Sequence, residues 1–144
     1  MIETLSRIDE YCIGLNVLSA HIHQKNVDAG WWTDLSSGED MRGFKNGKEE
    51  TFANAKRDVL MLLCLVHSEI SEACEGVRKN LMDDKLPHRT MLEVELADAI
   101  IRICDLAGAH QLDLGGAIKE KLDFNTTRAD HKIENRLKED GKKV

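Results

Sequence analysis

Two short acidic pairs hold the clearest chemical potential in this sequence: Glu69-x-x-Glu72 and Glu95-x-x-Asp98. Residues three apart on a helix differ by about 60° in direction and by roughly one turn in height, so each pair sends two carboxylates the same way. Two such helices packed antiparallel would gather four carboxylates, an arrangement that is costly unless a divalent cation neutralises it. Hard oxygen donors of this kind favour Mg²⁺ or Mn²⁺, ions that commonly hold phosphates. Glu75 flanks the first pair as either a fifth ligand or a surface charge. The opposite sign comes later in the chain, where Lys121, Asn125 and Arg128 fall at i, i+4 and i+7 and share a helical face. A lysine, an amide and a guanidinium in a row suit the phosphate oxygens that a metal leaves uncovered.

Each acidic pair also has a plainer reading. Glu95, Asp98, Arg102 and Asp105 form one narrow stripe, as the wet side of an amphipathic helix does, with Asp98 and Arg102 an ordinary i,i+4 ion pair. Glu69 and Glu72 are less ordinary, because they continue a line occupied one and two turns earlier by Leu65 and Leu62. A solvated face is normally polar along its length, so the switch from leucine to acid points to a site.

The elements that must position these residues are helical. Ile2, Leu5, Ile8, Cys12, Leu15, Leu18 and Ile22 recur at three- and four-residue steps and predict a first helix over about residues 2–24. Periodicity fails from Asn26 to Glu50, a glycine-punctuated connection containing the Trp31-Trp32 pair. Long ordered connections usually serve a site. A second helix is expected from near Phe52 to Arg78 with its stop near Asn80, and it carries an eight-residue apolar run, 59–66. Its first half is apolar all round, so subunits are expected to pair through it. Thr90 and Glu93 form a capping box that opens a third helix over about 90–109. Asp113 is the N-cap of a fourth helix containing Ile118, Leu122 and Phe124, and the Lys- and Glu-rich last ten or so residues are expected to be a flexible tail. No segment alternates apolar and polar residues, so the fold class is all-α: a four-helix, bundle-like single domain over 1–144 that forms a homodimer or homotetramer.

Composition narrows the partners. With 20 Lys plus Arg against 26 Asp plus Glu, the net charge of −6 repels a nucleic-acid backbone, so no nucleic-acid polymer is expected as partner. The longest apolar run is far below the ~20 residues that cross a bilayer, and Met1 leads into Glu3 and Asp9 rather than a basic start and apolar core, so neither a membrane span nor export is expected. Cys12, Cys64, Cys74 and Cys104 form no C-x-x-C pair, and three of them lie in apolar stretches; reduced thiols and a cytoplasmic location follow as expectations.

The runs Leu65-Val66-His67-Ser68-Glu69-Ile70-Ser71-Glu72-Ala73 and Glu95-Leu96-Ala97-Asp98-Ala99-Ile100-Ile101, followed by Lys121, Asn125 and Arg128, resemble the MazG-like branch of the all-α nucleoside triphosphate pyrophosphatases over about 22–131. Asn26 to Trp32 also resembles an asparagine-then-Gly-Trp segment found upstream in one branch of that family. The resemblance implies a MazG-type fold and hydrolysis of a (deoxy)nucleoside triphosphate between the α and β phosphates, giving the monophosphate and pyrophosphate. It further implies that Glu69, Glu72, Glu95 and Asp98 hold Mg²⁺, with Mn²⁺ as an alternative, and that Lys121 and Asn125 contact phosphates with help from Arg128. Either Glu69 or Glu72 would take the proton of the attacking water. Trp32 or Trp31 would stack on the base, and His23 and Asn26, with His21 nearby, would edge its pocket. Ser68 stands where many members carry a second acid, which leaves the metal count open.

Two rivals use the same pattern. A carboxylate-bridged di-iron bundle needs Glu-x-x-His, and no Glu here has His three residues later. A non-catalytic helical dimer or adaptor would keep the acids as surface charge, and indifference to divalent cations would mark it.

Overall fold

The computed structural model describes residues 6–42 and 58–142, and five α-helices are found there. They are α1 (Arg7–Asp28), α2 (Val59–Lys79), α3 (Met91–Ala109), α4 (Leu114–Thr127) and the short α5 (Ile133–Arg136). The described residues contain only two isolated bridges of β type, so the all-α expectation holds for them. None of their helices is long and apolar enough to cross a membrane. The expected helical turns 2–5 and 52–57 fall outside the described residues. The chain forms two compact units, Val17–Leu112 and Met1–Asn16 with Asp113–Val144.

In the first unit α2 and α3 form an antiparallel hairpin. Gly76 faces Met91 and Leu92 at one end, while Glu69 meets Arg102 further along. Asp58 caps α2 by accepting from the Leu60 N–H, and Asn80 ends it in the left-handed conformation (φ 54°), where an asparagine is tolerated better than most residues. The connection is pinned by Asp83, buried and accepting from the N–H groups of Lys85 and Leu86, and by the Met91 N–H donating to Leu81 O. Thr90 caps α3 through the Glu93 N–H, but only this half of the capping box forms. The Glu93 carboxylate turns instead to Arg89, whose charged donor is the stronger attraction.

The first helix runs past its expected end at 24 to Asp28. It stops where Gly30, at φ 82°, lets the chain turn back, with Gly30 N–H on Val27 O and Trp31 N–H on Asn26 O. Near its C-terminal end it lies against α3 at Gly108, where an added Cβ would stand 2.6 Å from His23 Cβ and 2.7 Å from Ser19 O. The loop that follows closes on itself: Asp34 accepts from the Ser36 and Ser37 N–H groups, and Met41 N–H donates to Trp32 O.

In the other unit Asp113 caps α4 by accepting from Gly116 N–H, and Asn16 braces the cap by donating to Asp113 and accepting from Gly115 N–H. Lys119 pairs with Asp9. After α4 a 3₁₀ turn (Ala129–His131) leads into α5, and Asn135 Nδ2 donates to Ala129 O.

Candidate metal and nucleotide site

The carboxylate stripe of α3 faces inward. Glu95 is 7% exposed and, across the hairpin, Glu69 is 6% exposed. One carboxylate oxygen from each of Glu69, Glu95 and Asp98 lies within 4.8 Å of the others. Glu72, one turn along α2, is exposed and outside that trio, but its charge reaches Glu95. Glu75 pairs with Arg78 and Lys79 on its own helix and stands outside the trio.

Burial, first of all, pushes the Glu95 carboxyl up to about 7; a hydrogen bond shared with Glu69 and the charges of Glu72, Glu69 and Asp98 push the same way. Among the described residues the cation paired with the cluster is Arg102, whose Nε donates to Glu69 Oε1 at 2.5 Å. The i,i+4 spacing assigns Arg102 to Asp98; in the structure it crosses to α2 instead. One guanidinium does not balance three carboxylates, so the cluster retains negative charge in a region where charge is poorly solvated. All its donors are carboxylate oxygens, with no imidazole or thiolate among them, which is a donor set for a hard divalent cation.

Beyond the cluster, along the same α3 stripe, a cleft of about 400 Å³ opens. Asp98, Arg102 and Asp105 line one side and Leu62 and Leu65 of α2 another, while Asn26 and the two tryptophans come from the end of α1 and its loop. Leucine giving way to acid along α2 therefore has a spatial meaning: the leucines line the cleft and the acid enters the cluster. A half-apolar cleft of this size, closed at one end by charge, is a common form of small-molecule site.

The two tryptophans differ. Trp32 is buried, 2% exposed, with its Nε1 donating to Asp105 at 3.0 and 3.2 Å and its ring edge-on to His23 at 5.2 Å. His23 Nδ1 lies 2.7 Å from the same Asp105 carboxylate. Expected base-contacting residues Trp32 and His23 thus form a support, and an indole packed in this way has no free face for a base. Trp31, 65% exposed, and Asn26 line the cleft. His21 is exposed. The role of Asp105 in joining α1, the loop and α3 is invisible in the stripe pattern, which shows only its i+7 spacing from Asp98.

Lys121, Asn125 and Arg128 belong to the other unit. Lys121 Nζ lies 5.0 Å from the centre of the Phe124 ring, and Asn125 Oδ1 is buried with no hydrogen-bond partner among the described residues. Arg128 does not share their helical face: it follows the last residue of α4 with extended backbone (φ −71°, ψ 127°), and its Nε and Nη2 are held by Asp130 at 2.9 and 2.6 Å.

In comparisons with family models, with curated proteins and with solved structures, nothing matches this chain.

Proposed function

We propose that the protein is a divalent-cation-dependent nucleoside triphosphate pyrophosphohydrolase, cutting (deoxy)nucleoside triphosphates between the α and β phosphates. The observation that carries this reading is the trio Glu69, Glu95 and Asp98, of which Asp98 also lines a cleft that Trp31 and two leucines make half-apolar. The acids and the apolar lining suit the two ends of a nucleotide. The trio would hold Mg²⁺ or Mn²⁺. A cation there supplies charge neutralisation for the phosphates and a more acidic water.

The chain's own residues do the rest. Trp31 stacks on the base, Asn26 edges it, and Trp32 with His23 and Asp105 keeps the loop in place. Glu72, exposed and outside the trio, is the carboxylate best placed to accept a proton from water; Glu69 is tied to Arg102. Lys121 and Asn125 enter the proposal through the family resemblance, as phosphate contacts. The chain is proposed to act as a cytoplasmic homo-oligomer, supported by the apolar residues that α2 leaves exposed, Leu60 and Met61 above all.

A divalent cation that binds only the folded state raises its stability. Thermal unfolding of the wild type should therefore move up with added Mg²⁺ or Mn²⁺ over a chelated control, and Glu69→Gln or Asp98→Asn should lose the shift. Indifference of the wild type to both ions would favour the adaptor reading.

A further inference from the structure

We propose that Arg102 is a substrate-binding residue, its guanidinium holding the phosphate that joins the nucleoside to the rest of the substrate. The proposal rests on the pyrophosphohydrolase reading and adds a residue to the acids, Lys121, Asn125 and Arg128 that carry the resemblance.

The argument is one of position. Along the inward stripe of α3, Glu95 and Asp98 belong to the carboxylate cluster, Asp105 to the far part of the cleft, and Arg102 stands between them. Asp98, which belongs to the cluster, and Arg102 both line the cleft. One turn of helix, about 5.4 Å, separates them. A ligand with its planar base against Trp31 and its outer phosphates at the cluster must bring its innermost phosphate past Arg102.

The state of the side chain fits that task. Arg102 uses Nε on Glu69, and its side chain remains 41% exposed beside an acid whose side chain is 8% exposed. Among the described residues its Nη1 and Nη2 make no hydrogen bond. A guanidinium presents parallel donors that match two oxygens of one phosphate, which an ammonium does not reproduce. Neutralising Glu69 is not a sufficient purpose, because Asp98 lies in the same cluster and remains unbalanced. A cation bound at Glu69 would repel the guanidinium and favour its contact with phosphate.

The test uses the full chain as wild type, Arg102→Gln and Arg102→Lys, with folding checked by circular dichroism. Three probes are titrated calorimetrically: α,β-imido nucleoside triphosphates of the four common bases with Mg²⁺, the matching nucleosides, and Mn²⁺ alone. Arg102→Gln should weaken binding of the best triphosphate analogue about tenfold or more. It should leave nucleoside binding unchanged and Mn²⁺ binding unchanged or tighter, and Arg102→Lys should recover only part of the loss. Four results would each overturn the proposal: unchanged analogue binding in Arg102→Gln, equal losses for analogue and nucleoside, a loss of Mn²⁺ binding large enough to explain the analogue result, or no analogue binding to the wild type. If Arg102→Gln does not fold, Arg102→Lys decides: weaker analogue with unchanged Mn²⁺ supports the proposal, and wild-type affinity for both overturns it. Pyrophosphate release by the wild type is a separate measurement, so failure of the parent reading is distinguishable from failure of this one.

Discussion

At the scale of single residues, the two adjacent tryptophans divide support from recognition. Trp32 donates its indole N–H to Asp105 in a buried setting, so Trp32→Phe removes one partner of a carboxylate that stays where it is. The expected cost is about 1–3 kcal/mol, read from denaturant unfolding. Trp31→Ala, at an exposed position, should cost less stability than Trp32→Phe while raising KM for nucleotide. Equal effects of the two changes on stability would contradict this division. Glu95 yields a pH prediction with a definite sign. Its carboxyl is raised to about 7, mainly by burial, so between the ordinary glutamate range and about 7 the folded protein keeps a proton that the unfolded chain has released. Raising pH through that window therefore lowers the stability of metal-free protein, and thermal unfolding in chelator should fall from pH 5 to 7.5. Glu95→Gln should flatten that dependence. Glu72→Gln should abolish turnover with helical content intact, and a variant that kept near wild-type rate would remove Glu72 from the mechanism.

At the scale of elements, the stops and starts that local chemistry controls were legible: Asn80 ends α2, Thr90 and Asp113 begin α3 and α4. Helical spacing pointed to Glu69, Glu95 and Asp98 for the same reason, but it also grouped Glu72 with them, and Glu72 is exposed and outside that trio. What spacing does not disclose is the partner across a gap. Arg102 fits Asp98 by sequence and reaches Glu69 in space, and Asp105 looks like one more wet-side acid until His23 and Trp32 are folded onto it. Arg128 was misplaced because the periodicity that groups it with Lys121 and Asn125 holds only while the helix lasts, and α4 ends at Thr127. Gly108 marks the contact on which the loop's position depends. Gly108→Val would force its new side chain against His23 and Ser19 O, and a loss of about 1–3 kcal/mol by overpacking is expected in chemical denaturation. Wild-type stability in that variant would mean that the end of α1 yields easily.

At the scale of the whole molecule, few large apolar side chains are buried among the described residues, and many are exposed. Leu60 is 72% and Met61 63% exposed at the start of α2, and exposed Cys64 and Leu63 follow them, whereas the sequence reading had most of the thiols packed as small hydrophobes. A helix that is apolar on its outer side needs covering, so sedimentation equilibrium at micromolar concentration should show a dimer or larger species, and Leu60→Glu should shift it toward monomer. A wild-type protein that sediments as a clean monomer would contradict the assembly. The central claim concerns what the carboxylate cluster and the cleft do together, and product analysis reaches it most directly. The measurement is release of pyrophosphate and nucleoside monophosphate from a panel of canonical and modified NTPs and dNTPs, with Mg²⁺, with Mn²⁺ and with chelator. Metal-dependent release of both products in equal amounts, lost in Glu69→Gln, is the predicted result; no release from any nucleotide by folded, metal-supplied protein would contradict it.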